Sequence, residues 1–419
     1  MTFQHHSPQH TCGQPRPSAV RLLLGQAVLF VLAAVACQTD VPLYGVEPAV
    51  QVRQQTDQAD SAVKTVIAEF DTGNGVRNEV VEVLAEYAGG SKLLLSSDGQ
   101  LWTVKGEQIL SIRETDQALT PATQEEIFEE FESQGFEVHR TKHYVLVYNT
   151  SPIYIKWVGE LFEGLHRRFS NFWKQKGLRL QEPRFPLVAV VFSDKASYLR
   201  YAQKDIGDSA KAMIGYYNMK SNRMVMYDLT GVDAIVPKGQ RVASAAVINK
   251  LLSQPAAERT VATIVHEAVH QLSFNGGLQV RLADNPYWVS EGMAMFFEAP
   301  DPKSRVGWGA IGKVNYHNLR LFRRDISSRG ANRLSEMITD DSKFQKSETA
   351  ARFYPESWAL TYYLMKTHTR DYVRYLKALT DLKPLDESSA RQRLDLFVEH
   401  FGEPRELEQQ YLRYITRLR

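Results

Sequence analysis

Residues 259–298 read RTVATIVHEAVHQLSFNGGLQVRLADNPYWVSEGMAMFFE, and the rest of the chain is best understood outward from them. Val261, Ile264, Val265, Ala268, Val269 and Leu272 recur at helical spacing and predict one amphipathic helix. His266 and His270 stand four apart on it, so both imidazoles leave the same face, one turn from each other. Two imidazoles on one face make half of a zinc site, and Glu267, beside the first, is placed as general base for an activated water. Asn275-Gly276-Gly277 predicts the end of this helix and a return of the chain, and Pro286 predicts the start of a second helix. That second helix carries Glu291, the expected third ligand.

The run Trp288-Val289-Ser290-Glu291-Gly292-Met293-Ala294 resembles the W-x-x-E-G-x-A signature of the gluzincin metallopeptidases, especially their aminopeptidase branch, and Asn275 falls five residues after the second histidine as it does there. The resemblance implies zinc bound by His266, His270 and Glu291, with Glu267 as the base. It also implies that Glu298, two helical turns past Glu291, orients a ligand histidine. By the same resemblance Tyr354, in YPESWALTYYLMK, opens a helix and donates a hydrogen bond to the tetrahedral oxyanion; Tyr316 and His317 are the alternatives. The aminopeptidase branch has an upstream Gly-x-Met-Glu-Asn strand that holds the substrate's free amine. Here the upstream hairpin, GYYNMKSNRMVMYD (215–228), has no such glutamate. The expectation is therefore an endopeptidase acting on a peptide or protein that pairs with an edge strand, unless Glu258 or another acid fills the role. Over about residues 137–380 the order of segments more closely resembles an uncharacterised family of exported bacterial HExxH proteins, which implies a peptidase-like domain and no particular substrate.

Composition narrows the partners. The chain has 419 residues, 43% hydrophobic and 23% charged, enough for a sizeable core. Of its 50 basic residues, Arg16 and Arg21 lie in the first 36, which hold no acid, so the remainder carries 48 of each sign. A balanced body has no basic footprint for nucleic acid. Leu22 to Ala36 is an uncharged, mostly apolar run behind two arginines, and residues 1–36 are expected to be a signal peptide. Ala34-Val35-Ala36 before Cys37 resembles a bacterial lipobox, which implies export and a lipid anchor on Cys37 at a membrane of the cell envelope, with plain secretion as the other outcome.

Residues 37–62 are polar and aperiodic and read as a tether. Residues 63–115 read as a small β module, with Asp98-Gly99 and Lys105-Gly106 as hairpin turns. Residues 116–419 read as the metallopeptidase domain, a mixed sheet followed by a helical half, so the fold class is α+β. Thr120-Pro121 is expected to start its first helix, and His139, His143, His166, His368 and His400 are read as structural. A rival class is an envelope adaptor that binds zinc and a peptide or protein partner without hydrolysis.

Overall fold

A computed structural model of the chain describes residues 64–231, 244–299 and 311–419. The expected signal peptide, Cys37 and the tether lie outside the described residues. The first five strands, β1 (Lys64–Asp71), β2 (Val76–Glu86), β3 (Lys92–Leu95), β4 (Leu101–Val104) and β5 (Ile109–Glu114), form one antiparallel sheet in the order β4-β3-β2-β1-β5. Alternation along β1 buries Val66, Ala68 and Phe70 against Val81, Leu94 and Val104 on one face. The other face, through Leu93, Leu95 and Leu101, packs on Phe185, Tyr217, Met219, Phe274 and Leu282 of the following domain.

Asp98-Gly99 does turn a hairpin, with Gly99 at φ 78°. Lys105-Gly106 does not: β5 leaves β4 and pairs with β1 at the opposite edge. Gln108 explains the diversion. Its Oε1 accepts from Lys105 N at 3.1 Å while its Nε2 donates to Asp71 O at 3.1 Å, which fastens the turn to the end of β1.

The second unit begins with α1 (Gln124–Glu132), whose cap is Thr123, not Thr120. Thr123 Oγ1 accepts from Glu126 N, and the Glu126 carboxylate accepts from Thr123 N, so the capping box forms three residues past the expected start. There follow β6 (Glu137–Arg140), β7 (Tyr144–Tyr148), α2 (Pro152–Gln175), β8 (Leu187–Phe192), α3 (Lys195–Ile206), β9 (Gly215–Asn218) and β10 (Arg223–Tyr227). The sheet order is β6-β7-β8-β10-β9, parallel among β7, β8 and β10 and antiparallel at both edges. Both faces of the central strands are covered, so they are apolar throughout. Val145, Val147, Val188, Val190 and Val225 meet α1 and α3, while Leu146, Ala189, Val191, Met224 and Met226 face the helical half.

That half comprises α4 (Ala245–Leu252), α5 (Pro255–Asn275), α6 (Tyr287–Phe297), α7 (Tyr316–Asp325), α8 (Arg333–Thr339), α9 (Ser342–Gln345), α10 (Ser347–Thr367), α11 (Thr369–Leu379), α12 (Ala390–Phe401) and α13 (Pro404–Thr416). Every residue of α6 from Trp288 to Phe297 is buried, which makes it the central helix, enclosed on all sides. The α+β class, with a β region first and a helical half last, is the observed architecture. Among the described residues no helix is long and apolar enough to cross a membrane.

Candidate metal centre

The apolar stripe of α5 faces the core as its spacing requires, and Gln271 fastens the helix to the sheet by donating to Val188 O and Asn222 O, both at 3.0 Å. Asn275 is its last residue. Gly276 caps it and Gly277, at φ 75°, turns the chain back toward α6 as expected. The return places Glu291 against both imidazoles: its Oε2 lies 3.0 Å from His266 Nε2 and its Oε1 3.6 Å from His270 Nε2. His266, Glu267 and Glu291 are 0% exposed and His270 1%.

Glu298, at the end of α6, completes the orientation of His266. Its Oε2 is 2.7 Å from His266 Nδ1, and its Oε1 accepts from Asn315 Nδ2 at 2.9 Å. Asn315 is also the N-cap of α7, accepting from Asn318 N, so the loop into α7 is tied to the imidazole through one carboxylate. No sequence signal singles out Asn315, since a capping Asn is common.

The donor atoms of His266, His270 and Glu291 lie within 4.8 Å of one another. Ligands about 2.0–2.1 Å from a tetrahedral ion sit about 3.3 Å apart, which the two measured separations bracket. Glu291 Oε1 is buried with no hydrogen bond, an arrangement that a cation resolves. The residues therefore fit a divalent metal. Burial opposes a charge on His266, but the Glu291 and Glu298 carboxylates outweigh it and hold this imidazole well above its ordinary value. His270, buried and beside His266, is held well below its own.

Glu267 turns toward the edge strand β9, where its Oε2 accepts from Tyr217 N at 2.9 Å. Its Oε1 is buried and makes no hydrogen bond. Burial pushes this carboxyl up to about 8, against the pull of His266 and the Tyr217 N–H. The sequence names Glu267 as the base but gives no sign of Tyr217, because a backbone N–H leaves no trace in residue type.

Tyr354 is buried but does not open its helix. It lies in the third turn of α10, which begins at Ser347, with Pro355 inside. A proline inside a helix costs about 3 kcal/mol. The helix persists because Ala350, Phe353, Tyr354 and Trp358 are all buried in the core. Burial first, then the charges of Glu291, Tyr287 and Glu267, hold the Tyr354 hydroxyl well above the usual phenol range, so it stays protonated near the cluster. Tyr316 is 57% exposed and donates to Arg419 O, which removes it as an oxyanion donor. His317 is half-buried, and burial followed by the nearby Arg259 pulls it down to about 4. Glu258 is exposed at the start of α5.

No curated protein matches the chain. Residues 260–386, which run from the start of the HExxH turns past Tyr354 and so contain every residue of the cluster, match a family described as Protein of unknown function (DUF1570).

Proposed function

We propose that the chain is a zinc-dependent peptidase of the gluzincin kind, exported through residues 1–36, anchored in the cell envelope by a lipid on Cys37, and cutting extended peptides or proteins internally. The observation that carries the reading is the Glu291 carboxylate spanning both imidazoles, beside a Glu267 that keeps one buried oxygen without a hydrogen bond. Two imidazoles and one carboxylate are a donor set of catalytic zinc, which leaves a fourth position open.

His266, His270 and Glu291 would hold the ion. Bound zinc supplies Lewis acidity that lowers the pKa of a water and polarises a carbonyl. Glu298 accepts a hydrogen bond from His266 Nδ1–H and so leaves Nε2, with its lone pair, turned toward the cluster. In its ionised form, which a bound divalent ion would favour against burial, Glu267 accepts the proton of the attacking water at Oε1 and passes it to the leaving amine, while the Tyr217 N–H on Oε2 keeps the carboxylate in place. The Tyr354 hydroxyl, protonated throughout the physiological range, donates to the oxyanion. β9 is a sheet edge next to Glu267, suited to an added extended peptide, and the absence of an acid from GYYN supports internal cleavage over capture of a free amine.

The near-zero exposure of all four cluster residues favours a second reading, a zinc-binding adaptor without hydrolysis. Digestion of a peptide library by the purified chain and by Glu267→Gln, read by mass spectrometry with zinc content in parallel, separates the two. Both proteins should hold zinc and only the unmodified chain should cut, at internal bonds, whether the substrate amine is free or acetylated. Retained zinc without cleavage by either establishes the adaptor, and stepwise release of N-terminal residues, stopped by acetylation, overturns internal cleavage.

A further inference from the structure

A second cluster lies where the chain enters the parallel strands. His143 immediately precedes β7, His166 is on α2, and Glu182 is in the segment that leads to β8. Parallel pairing brings the starts of β7 and β8 together, with Leu187 N donating to His143 O at 2.9 Å, so residues far apart in sequence meet there.

His143 is held in one orientation. Its Nδ1 lies 2.8 Å from Glu163 Oε2, its backbone N donates to Glu163 Oε1 at 2.7 Å, and Thr141 Oγ1 donates to the same oxygen at 2.6 Å. A carboxylate on Nδ1 fixes the proton there and leaves Nε2 with the lone pair, the arrangement in which a histidine serves as a metal ligand. His143 Nε2 is buried and makes no hydrogen bond; Glu182 Oε2 lies 3.5 Å away, close to the edge of a tetrahedral site with bonds of about 2.1 Å. The His166 ring stacks on His143 with centroids 3.9 Å apart, and the donor atoms of all three residues fall within 4.8 Å of one another.

We infer that His143, His166 and Glu182 form a second metal site, distinct from the His266 cluster, that takes a zinc-like divalent ion as a structural staple. Two imidazoles and one carboxylate suit zinc, whereas calcium and magnesium require more oxygen ligands. Binding opens the ring stack by rotation of the His166 side chain, and the exposed Glu182 follows the ion. The location explains the role. Gln181 N donates to Gly276 O at 3.0 Å, at the cap of α5, and Arg184 forms a bidentate pair with Glu82 of β2. An ion held by Glu182 therefore pins α2 and β7 to a segment that touches both the end of the HExxH helix and the N-terminal sheet.

The test is zinc titration of the chelator-stripped chain by calorimetry, with metal content by mass spectrometry, for the unmodified protein, Glu182→Ala, His166→Gln and His270→Ala. The unmodified chain should take up two zinc ions. Glu182→Ala, an exposed position that folding does not depend on, should bind one of them at least tenfold more weakly. His166→Gln should lose that ion, and His270→Ala should retain it, with a thermal midpoint that still rises on zinc addition. If His270→Ala binds as the unmodified chain does while Glu182→Ala loses an ion, this site stands and the assignment of the His266 cluster fails. Binding unchanged within twofold in Glu182→Ala overturns the inference.

Discussion

At the scale of single residues, the proposed centre depends on groups that touch its candidate ligands. Glu298 bonds His266 Nδ1 and is itself held by Asn315, so Glu298→Ala frees one ligand ring. The expected outcome is a loss of about 10–100-fold in metal affinity, read by competition with a chelator. Tyr354, buried beside Glu291, plays a different part: its hydroxyl stays protonated. Tyr354→Phe should lower kcat by about a hundredfold or more while KM and zinc content change little, since the donor to the oxyanion is removed and the ring that fills the core stays. A KM that rises with kcat unchanged would instead assign Tyr354 to substrate binding.

At the scale of elements, the decisive contact is α6 against α10. A Cβ on Gly292 would lie 2.2 Å from Thr361 Oγ1 and 2.6 Å from Ser357 O, and the second of these is backbone that cannot turn aside. The glycine after Glu291 thus reflects the approach of two helices. Gly292→Ala should cost about 1–3 kcal/mol through overpacking and should weaken metal binding as well, because Glu291 precedes it on the displaced helix. Thermal unfolding and zinc titration of the same variant check both effects; a lowered midpoint with unchanged zinc affinity would show that α6 yields without moving Glu291.

At the scale of the whole molecule, the N-terminal sheet and the domain that carries the His266 cluster share a core. Leu93, Leu95 and Leu101 pack with Tyr217 and Phe274, Leu101 N donates to Lys220 O at 2.7 Å, and Arg281 Nη1 donates to both Gly99 O and Met219 O. These contacts brace the β9–β10 turn, and β9 carries the N–H that holds Glu267. Each large side chain uncovered by removal of the sheet costs about 1.5–3 kcal/mol. A fragment of residues 116–419 should therefore melt well below the longer chain and lose peptidase activity before it loses zinc. An unchanged midpoint in calorimetry would show that the sheet is dispensable for the fold.

Local pattern alone determined a good deal. The spacing of His266 and His270 puts both on one helix face whatever surrounds them, because helical geometry fixes side-chain direction. Asn275-Gly276-Gly277 and Pro286 mark the boundaries that return Glu291, for equally local reasons. Other features required the folded chain. β5 could pair with β4 or cross to β1, and only the Gln108 bond to Asp71 O shows which. α10 begins before Tyr354 despite Pro355, because core burial outweighs the local cost. The Tyr217 N–H on Glu267, Asn315 on Glu298, and the meeting of His143 with His166 and Glu182 join residues distant in sequence. The histidines read as structural at 143 and 166 look identical in sequence to His139 or His400; the packing of α2 on β7 brings these two together, the parallel pairing of β7 and β8 adds Glu182, and no periodicity along the chain encodes which elements lie side by side.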